Sequence, residues 1–138
     1  MIPEGDYLIR SRNSNRVVDV ANNGVNIIQG SLNGQSEDEM WHIQVLDSGA
    51  YVITSIDSNE AIQVNENFNV QRREYVQGAN QQWVIEPAAE VGYFYLRNLG
   101  DNRYMDVFRA RTTANTNIIT WPFHGRNNQQ WEFELIEE

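Results

Sequence analysis

Three tryptophans divide this chain into three copies of one unit. Each closes a short amide-rich or acidic run: Asp38-Glu39-Met40-Trp41, Asn80-Gln81-Gln82-Trp83 and Asn128-Gln129-Gln130-Trp131. Upstream of each lies a matching stretch of 14 residues without a gap, from Tyr7 to Val20, Tyr51 to Val64 and Phe94 to Val107. The copies therefore begin 44 and 43 residues apart, at Tyr7, Tyr51 and Phe94. A period of this size marks a supersecondary unit too small to bury its own apolar face, so the three copies must share one core. The length of 138 residues suits one domain over 1–138, with repeats at about 5–46, 49–88 and 91–136.

Within each copy the apolar signal has period two. Tyr7/Ile9, Trp41/Ile43/Val45, Tyr51/Ile53, Trp83/Ile85 and Trp131/Phe133/Leu135 alternate with polar residues, as half-buried strands do. Clusters such as Arg12-Asn13-Ser14-Asn15, Asp57-Ser58-Asn59 and Gly100-Asp101-Asn102 separate them, and their short side chains bond their own backbone in turns. No segment carries a helical stripe, and Pro87-Ala88-Ala89-Glu90 is expected to form one short turn between the second and third repeats. About twelve short strands at this spacing imply a closed all-β body, because closure removes exposed sheet edges.

Charge narrows the partners. The net charge of −9 and pI near 4.6 set a field that repels phosphate, which argues against nucleic acid and anionic membranes and leaves a neutral ligand unaffected. All ten basic residues are arginine, a bias read as compositional. There is no cysteine, no apolar run after Met1, no stretch of transmembrane length and no Asn-x-Ser/Thr acceptor. These features are read as a cytoplasmic or non-classically secreted protein without a signal peptide. Met1 and the charged Glu137-Glu138 end are read as the limits of a complete chain.

The Gln-x-Trp pattern, kept in the second and third repeats and written Glu39-Met40-Trp41 in the first, the Asp-Val that closes the second strand of a repeat, and the terminal Trp-x-Phe/Ile strand resemble the ricin-B type β-trefoil lectins across the whole chain. The last third, Met105-Asp106-Val107 through Thr120-Trp121-Pro122-Phe123-His124-Gly125 to Asn128-Gln129-Gln130-Trp131, is similar to galactose-binding repeats of plant toxin lectin chains and clostridial haemagglutinins. The opening Ile2-Pro3-Glu4-Gly5-Asp6-Tyr7 is similar to small mushroom lectins. The resemblance implies a β-trefoil that binds galactose- or N-acetylgalactosamine-type glycans without a metal or other cofactor. A carboxylate takes vicinal hydroxyl protons in charge-assisted bonds. An amide matches a hydroxyl that is both donor and acceptor, and an aromatic ring packs on the C–H face of the sugar.

Carried over residue by residue, the resemblance makes Asp106 the carboxylate, Trp121 the platform and Asn128 the amide. His124 would donate from the turn, Phe108 would form a side wall, and Gln129 completes the set, more as a brace for Asp106 or the turn than as a sugar contact. Ile119 stands where several relatives keep glutamine. In the first repeat Asp19 remains, but Gly30 matches Trp121 and Asp38-Glu39 replaces the amide pair. In the second, Gln63 replaces the carboxylate and Arg73 the aromatic. The span from Asp-Val to Trp is also longest in the third repeat, 24 residues from Val107 to Trp131, against 21 from Val20 to Trp41 and 19 from Val64 to Trp83. One competent site per chain is therefore expected, which asks for a homodimer to reach useful avidity.

Each residue also has a plainer reading. Trp41, Trp83 and Trp131 recur whether or not a repeat keeps its site, so they are core. Asp106 is read as bordering solvent, with a turn-capping role as its alternative. His42 is read as solvent-facing, and Arg109 and Arg111 as solvated charges bordering the site, with admission of a sialylated or sulfated sugar as their alternative. With no cysteine and no G-x-S-x-G elbow, nothing supports a nucleophilic enzyme. The rival reading is a loop-presenting trefoil that binds proteins, such as a protease inhibitor, because a fold does not dictate its function.

Overall fold

The structure, a computed structural model, describes residues 1–136; the Glu137-Glu138 end lies outside the described residues. It contains twelve strands: β1 Gly5–Ser11, β2 Val18–Val20, β3 Ile27–Gln29, β4 Trp41–Val45, β5 Tyr51–Ser55, β6 Ala61–Val64, β7 Val70–Arg73, β8 Trp83–Pro87, β9 Phe94–Asn98, β10 Tyr104–Val107, β11 Thr116–Trp121 and β12 Trp131–Leu135. The only helical elements among the described residues are single 3-10 turns. Six strands close a barrel: β1 pairs β4, β4 pairs β5, β5 pairs β8, β8 pairs β9, β9 pairs β12, and β12 returns to β1. The other six form the hairpins β2–β3, β6–β7 and β10–β11, which meet one another through β3–β11 pairing and the bridges Asn26↔Gln71 and Asn69↔Ile119. This is the β-trefoil.

The repeated residues explain the threefold plan. Trp41, Trp83 and Trp131 open β4, β8 and β12 and are fully buried. Each indole N–H donates to a hairpin carbonyl, at Val18 (3.0 Å), Ile62 (3.1 Å) and Met105 (3.1 Å), so no buried donor is left unpaired. In every repeat that carbonyl belongs to the residue just before Asp19, Gln63 or Asp106. The core tryptophan therefore also aims the strand that carries the site position. The turns repeat as well. Asn15, Asn59 and Asn102 adopt left-handed backbone (φ 64, 62 and 59) and donate N–H to Ser11, Ser55 and Asn98 carbonyls. Asparagine tolerates that conformation better than a bulkier residue.

Two local expectations are corrected. Pro87 does not start a turn: it is the last residue of β8, opposite Phe94, where a missing N–H is harmless at a strand end, and residues 88–93 close the β8–β9 hairpin. His42 is only half in solvent, because Nδ1 lies 2.7 Å from the Asp6 carboxylate.

Candidate functional site

The hairpin register makes the three repeats strictly comparable. Asp106 faces Ile119 across β10–β11, Asp19 faces Ile28, and Gln63 faces Gln71. Two residues further along the second strand stand Trp121, Gly30 and Arg73, all diagonal neighbours on the same face of the pleat. Only in the third repeat does this geometry put a ring beside a carboxylate. Trp121 ends β11 with about half its surface exposed (51%), and Pro122 then turns the chain away. A cavity of about 440 Å³ opens between them, and Asp106, Phe108, Trp121, His124 and Asn128 line it with Arg109, Ala110, Ile119 and Arg126.

Asp106 forms the floor and is nearly buried, at 3% exposure. Its Oδ1 accepts from Asn128 Nδ2 at 2.8 Å, and its Oδ2 accepts from Gln129 Nε2 at 2.9 Å. His124 Nε2 lies 3.2 Å from the same Oδ2, while the Arg126 backbone N–H donates to His124 Nδ1 at 2.9 Å. That pattern makes Nδ1 the acceptor and leaves Nε2–H as the donor to the carboxylate. Burial pushes the Asp106 carboxyl above the ordinary range, and the bonds from Gln129, His124 and Asn128 work against that shift. The result is a preorganised acceptor: a carboxylate fixed in direction, with one lone pair, on Oδ1, still available to a hydroxyl donor in the cavity.

The placement amends the assignments of His124 and Asp106, and gives Gln129 a bracing place. Gln129 is fully buried and does not line the cavity, so it is not a sugar-contact residue. Its Nε2 donates to Asp106 and to the Pro122 carbonyl (3.0 Å), and its Oε1 accepts the N–H groups of His124 and Gly125, which ties the carboxylate to the Trp121–Gly125 turn. His124 lies at the cavity wall, but both ring nitrogens already have partners, so it orients Asp106 instead of offering a free donor. Asp106 itself does not border solvent as expected. Arg126 and Ala110 were missed from the sequence; the only signal was their place on the two loops that flank Trp121 and Phe108.

Phe108 walls the cavity from a loop held by the first repeat. Buried Gln29 donates through Nε2 to the carbonyls of Arg111 (2.9 Å) and Thr113 (2.8 Å), Arg16 Nε binds Thr112 O at 2.9 Å, and Asn13 Nδ2 binds Ala110 O at 2.8 Å. The extra residues of the third repeat thus become a fixed wall.

The other repeats lack this chemistry. A side chain at Gly30 would collide with Asp19, whose Oδ2 lies 2.3 Å from where a Cβ would stand, so the platform position lies under the carboxylate itself. Glu39 takes the bracing place of Gln129, and it accepts from Ser31 and the Ser36 N–H but has no proton to give Asp19. Burial, with the charges of Asp38 and Glu39, raises the Asp19 carboxyl to about 6 against an opposing bond from the Val20 N–H. In the second repeat Gln81 still braces, through Nε2 to Gln63 Oε1 at 2.9 Å, yet the floor is neutral.

The pattern of the family described as ricin-type beta-trefoil lectin domain-like matches residues 2–77 and 79–137. The chain belongs to this family. The main haemagglutinin component type C of the Clostridium botulinum C phage is 28% identical over 106 residues, which is 73% of this chain and 37% of that protein. The chain thus spans little more than a third of that relative. Among solved structures, the designed threefold-symmetric protein ThreeFoil superposes with a TM-score of 0.88 at 29% identity, covering 96% of this chain and 99% of the other. A Macrolepiota procera ricin B-like lectin in complex with lactose gives 0.84 at 16% identity, covering 99% of both chains. A proteinase inhibitor from Coprinopsis cinerea also shares the fold (0.80, 13% identity, 99% and 100% covered), so the fold alone does not choose a ligand.

Proposed function

We propose that this trefoil is a lectin that binds galactose or N-acetylgalactosamine, free or at a glycan terminus, through the third repeat alone. The observation that carries the reading is the Asp106 carboxylate, held by Asn128, Gln129 and His124 at the floor of a cavity whose wall is the exposed Trp121 ring. The free lone pair on Asp106 Oδ1 takes a hydroxyl proton, the Asn128 amide sits beside it, and Trp121 covers the C–H face of the ring. This division of labour is what a neutral pyranose requires. A protease-binding trefoil has no use for a buried, braced carboxylate beneath an aromatic ring.

A shallow site of one ring and a few hydrogen bonds binds a monosaccharide near millimolar, about −4 kcal/mol. Linking sites raises avidity by roughly 10²–10⁴ when geometry permits, so one site per chain argues for a twofold dimer, the commonest closed assembly. Titration of lactose into the wild type, Trp121→Ala and Asp106→Asn tests the site, with binding expected in the first only. Wild-type affinity in Asp106→Asn, or loss of binding in Asp19→Asn instead, would refute the assignment. Sedimentation at micromolar concentration tests the dimer, and a monomer that agglutinates cells would refute single-site valency.

A further inference from the structure

A second cavity, of about 240 Å³, adjoins the first and shares its Phe108, Ile119 and Trp121 lining. Its far side comes from the second repeat, through Asn67, Phe68 and Asn69, and its remaining wall from Arg103, Asn117 and Thr120. Arg103 is its only charged residue. The guanidinium carbon lies over the Phe68 ring, 3.8 Å from its centroid, and 5.6 Å from that of Trp121. Its one hydrogen bond among the described residues runs from Nη2 to Thr120 O at 3.1 Å, and its buried Nε has no partner. No carboxylate of the described residues comes within 4.0 Å of it: neighbouring Asp101 bonds Thr120 Oγ1 and the Arg103 backbone N–H instead.

Phe68 adds a second, independent sign. It is 40% exposed and holds left-handed backbone (φ 64), which a bulky residue adopts only against strain. The corresponding turn position in the first repeat, also four residues past the Asp/Gln-Val step and also donating its N–H three residues back, is Gly24 (φ 73). The second repeat thus keeps a strained, half-exposed ring where glycine would serve the turn, and that ring is what holds Arg103 in place.

We propose that this cavity is a second subsite, which takes a carboxylate or sulfate ester attached to the bound galactose-type sugar, directly or through one further sugar, with Arg103 as the cation. The proposal rests on the lectin reading above and extends it. Arginine offers a fork of donors matched to a carboxylate or sulfate, and here most of the fork is unengaged. The net charge of −9 does not forbid it, because at physiological salt charges beyond about 8 Å are largely screened. Arg109 and Arg126 on the first cavity add to the same local sign.

The test is calorimetric titration of lactose, 3′- and 6′-sialyllactose and 3′-sulfolactose into the wild type, Arg103→Gln and Phe68→Gly. The wild type is expected to bind at least one anionic form about tenfold more tightly than lactose, the scale of one charge-assisted bond, and the sialyl and sulfo arms tell which group is read. Arg103→Gln should lose that preference and keep the lactose affinity. Phe68→Gly, whose backbone the turn accepts, should lose most of it. In the wild type the preference should shrink between 0.05 and 0.5 M NaCl. Equal affinity for lactose and every anionic form, or a preference that survives Arg103→Gln, overturns the subsite alone. A wild type that binds none of the four sugars overturns the lectin reading with it.

Discussion

At the scale of single residues, the two retained aspartates have opposite fates. Asp106 is nearly buried and receives three donors, so truncation strands Asn128, Gln129 and His124. Asp106→Ala is therefore expected to lower stability by about 1–3 kcal/mol as well as to abolish sugar binding; urea denaturation of the Ala and Asn variants checks this, with the Asn form closer to wild type. Because burial raises the Asp106 carboxyl, sugar affinity should begin to fall, on acidification, above the pH at which an ordinary aspartate titrates. Asp19 has no side-chain amide donor, only the Val20 N–H, and lies near the charges of Asp38 and Glu39, with its carboxyl raised to about 6. The native chain then binds more protons here than the unfolded chain between about pH 4 and that value, so this group makes the fold less stable as pH rises through the window. Asp19→Asn should stabilise by about 1 kcal/mol at pH 7 after allowance for solvent screening, and by little at pH 4. Thermal melts at the two pH values check the sign.

At the scale of elements, the third repeat differs from its sisters in one long loop, and a neighbouring repeat holds that loop in place. Gln29, in the first repeat, has its amide donors on Arg111 O and Thr113 O and accepts from Ser14 Oγ at 2.8 Å. Gln29→Ala touches no cavity residue, yet it should free residues 108–115, weaken sugar binding several-fold and lower stability by about 1–3 kcal/mol through the carbonyls left unpaired. Hydrogen exchange localised to that loop, read beside lactose affinity, is the measurement. Exchange unchanged in 108–115 would contradict the idea that the first repeat builds the wall.

At the scale of the molecule, three units share one closed barrel, so damage to any unit reaches them all. Trp83→Ala is expected to cost about 3–5 kcal/mol, although it lies in a repeat without a competent site, because it empties the core and orphans the Ile62 carbonyl. A single denaturation transition at lower urea would show that the repeats unfold together. The sequence alone determined what is local and periodic: strand alternation, asparagine-closed turns, the three core tryptophans, and the coincidence of Asp106, Trp121 and Asn128 in one repeat. Those features depend on neighbours a few residues away or on a recurring spacing, so they are legible as pattern. Tertiary structure decided the rest, because it depends on contacts across a folded repeat and between repeats that no period encodes: the burial of Asp106 and the engagement of both His124 nitrogens within the third repeat, and between repeats the bracing of the Phe108 loop by Gln29 and the stacking of Arg103 on Phe68 beside Trp121. Closing the barrel brings those partners together from as far as 84 positions apart, as between Gln29 and Thr113.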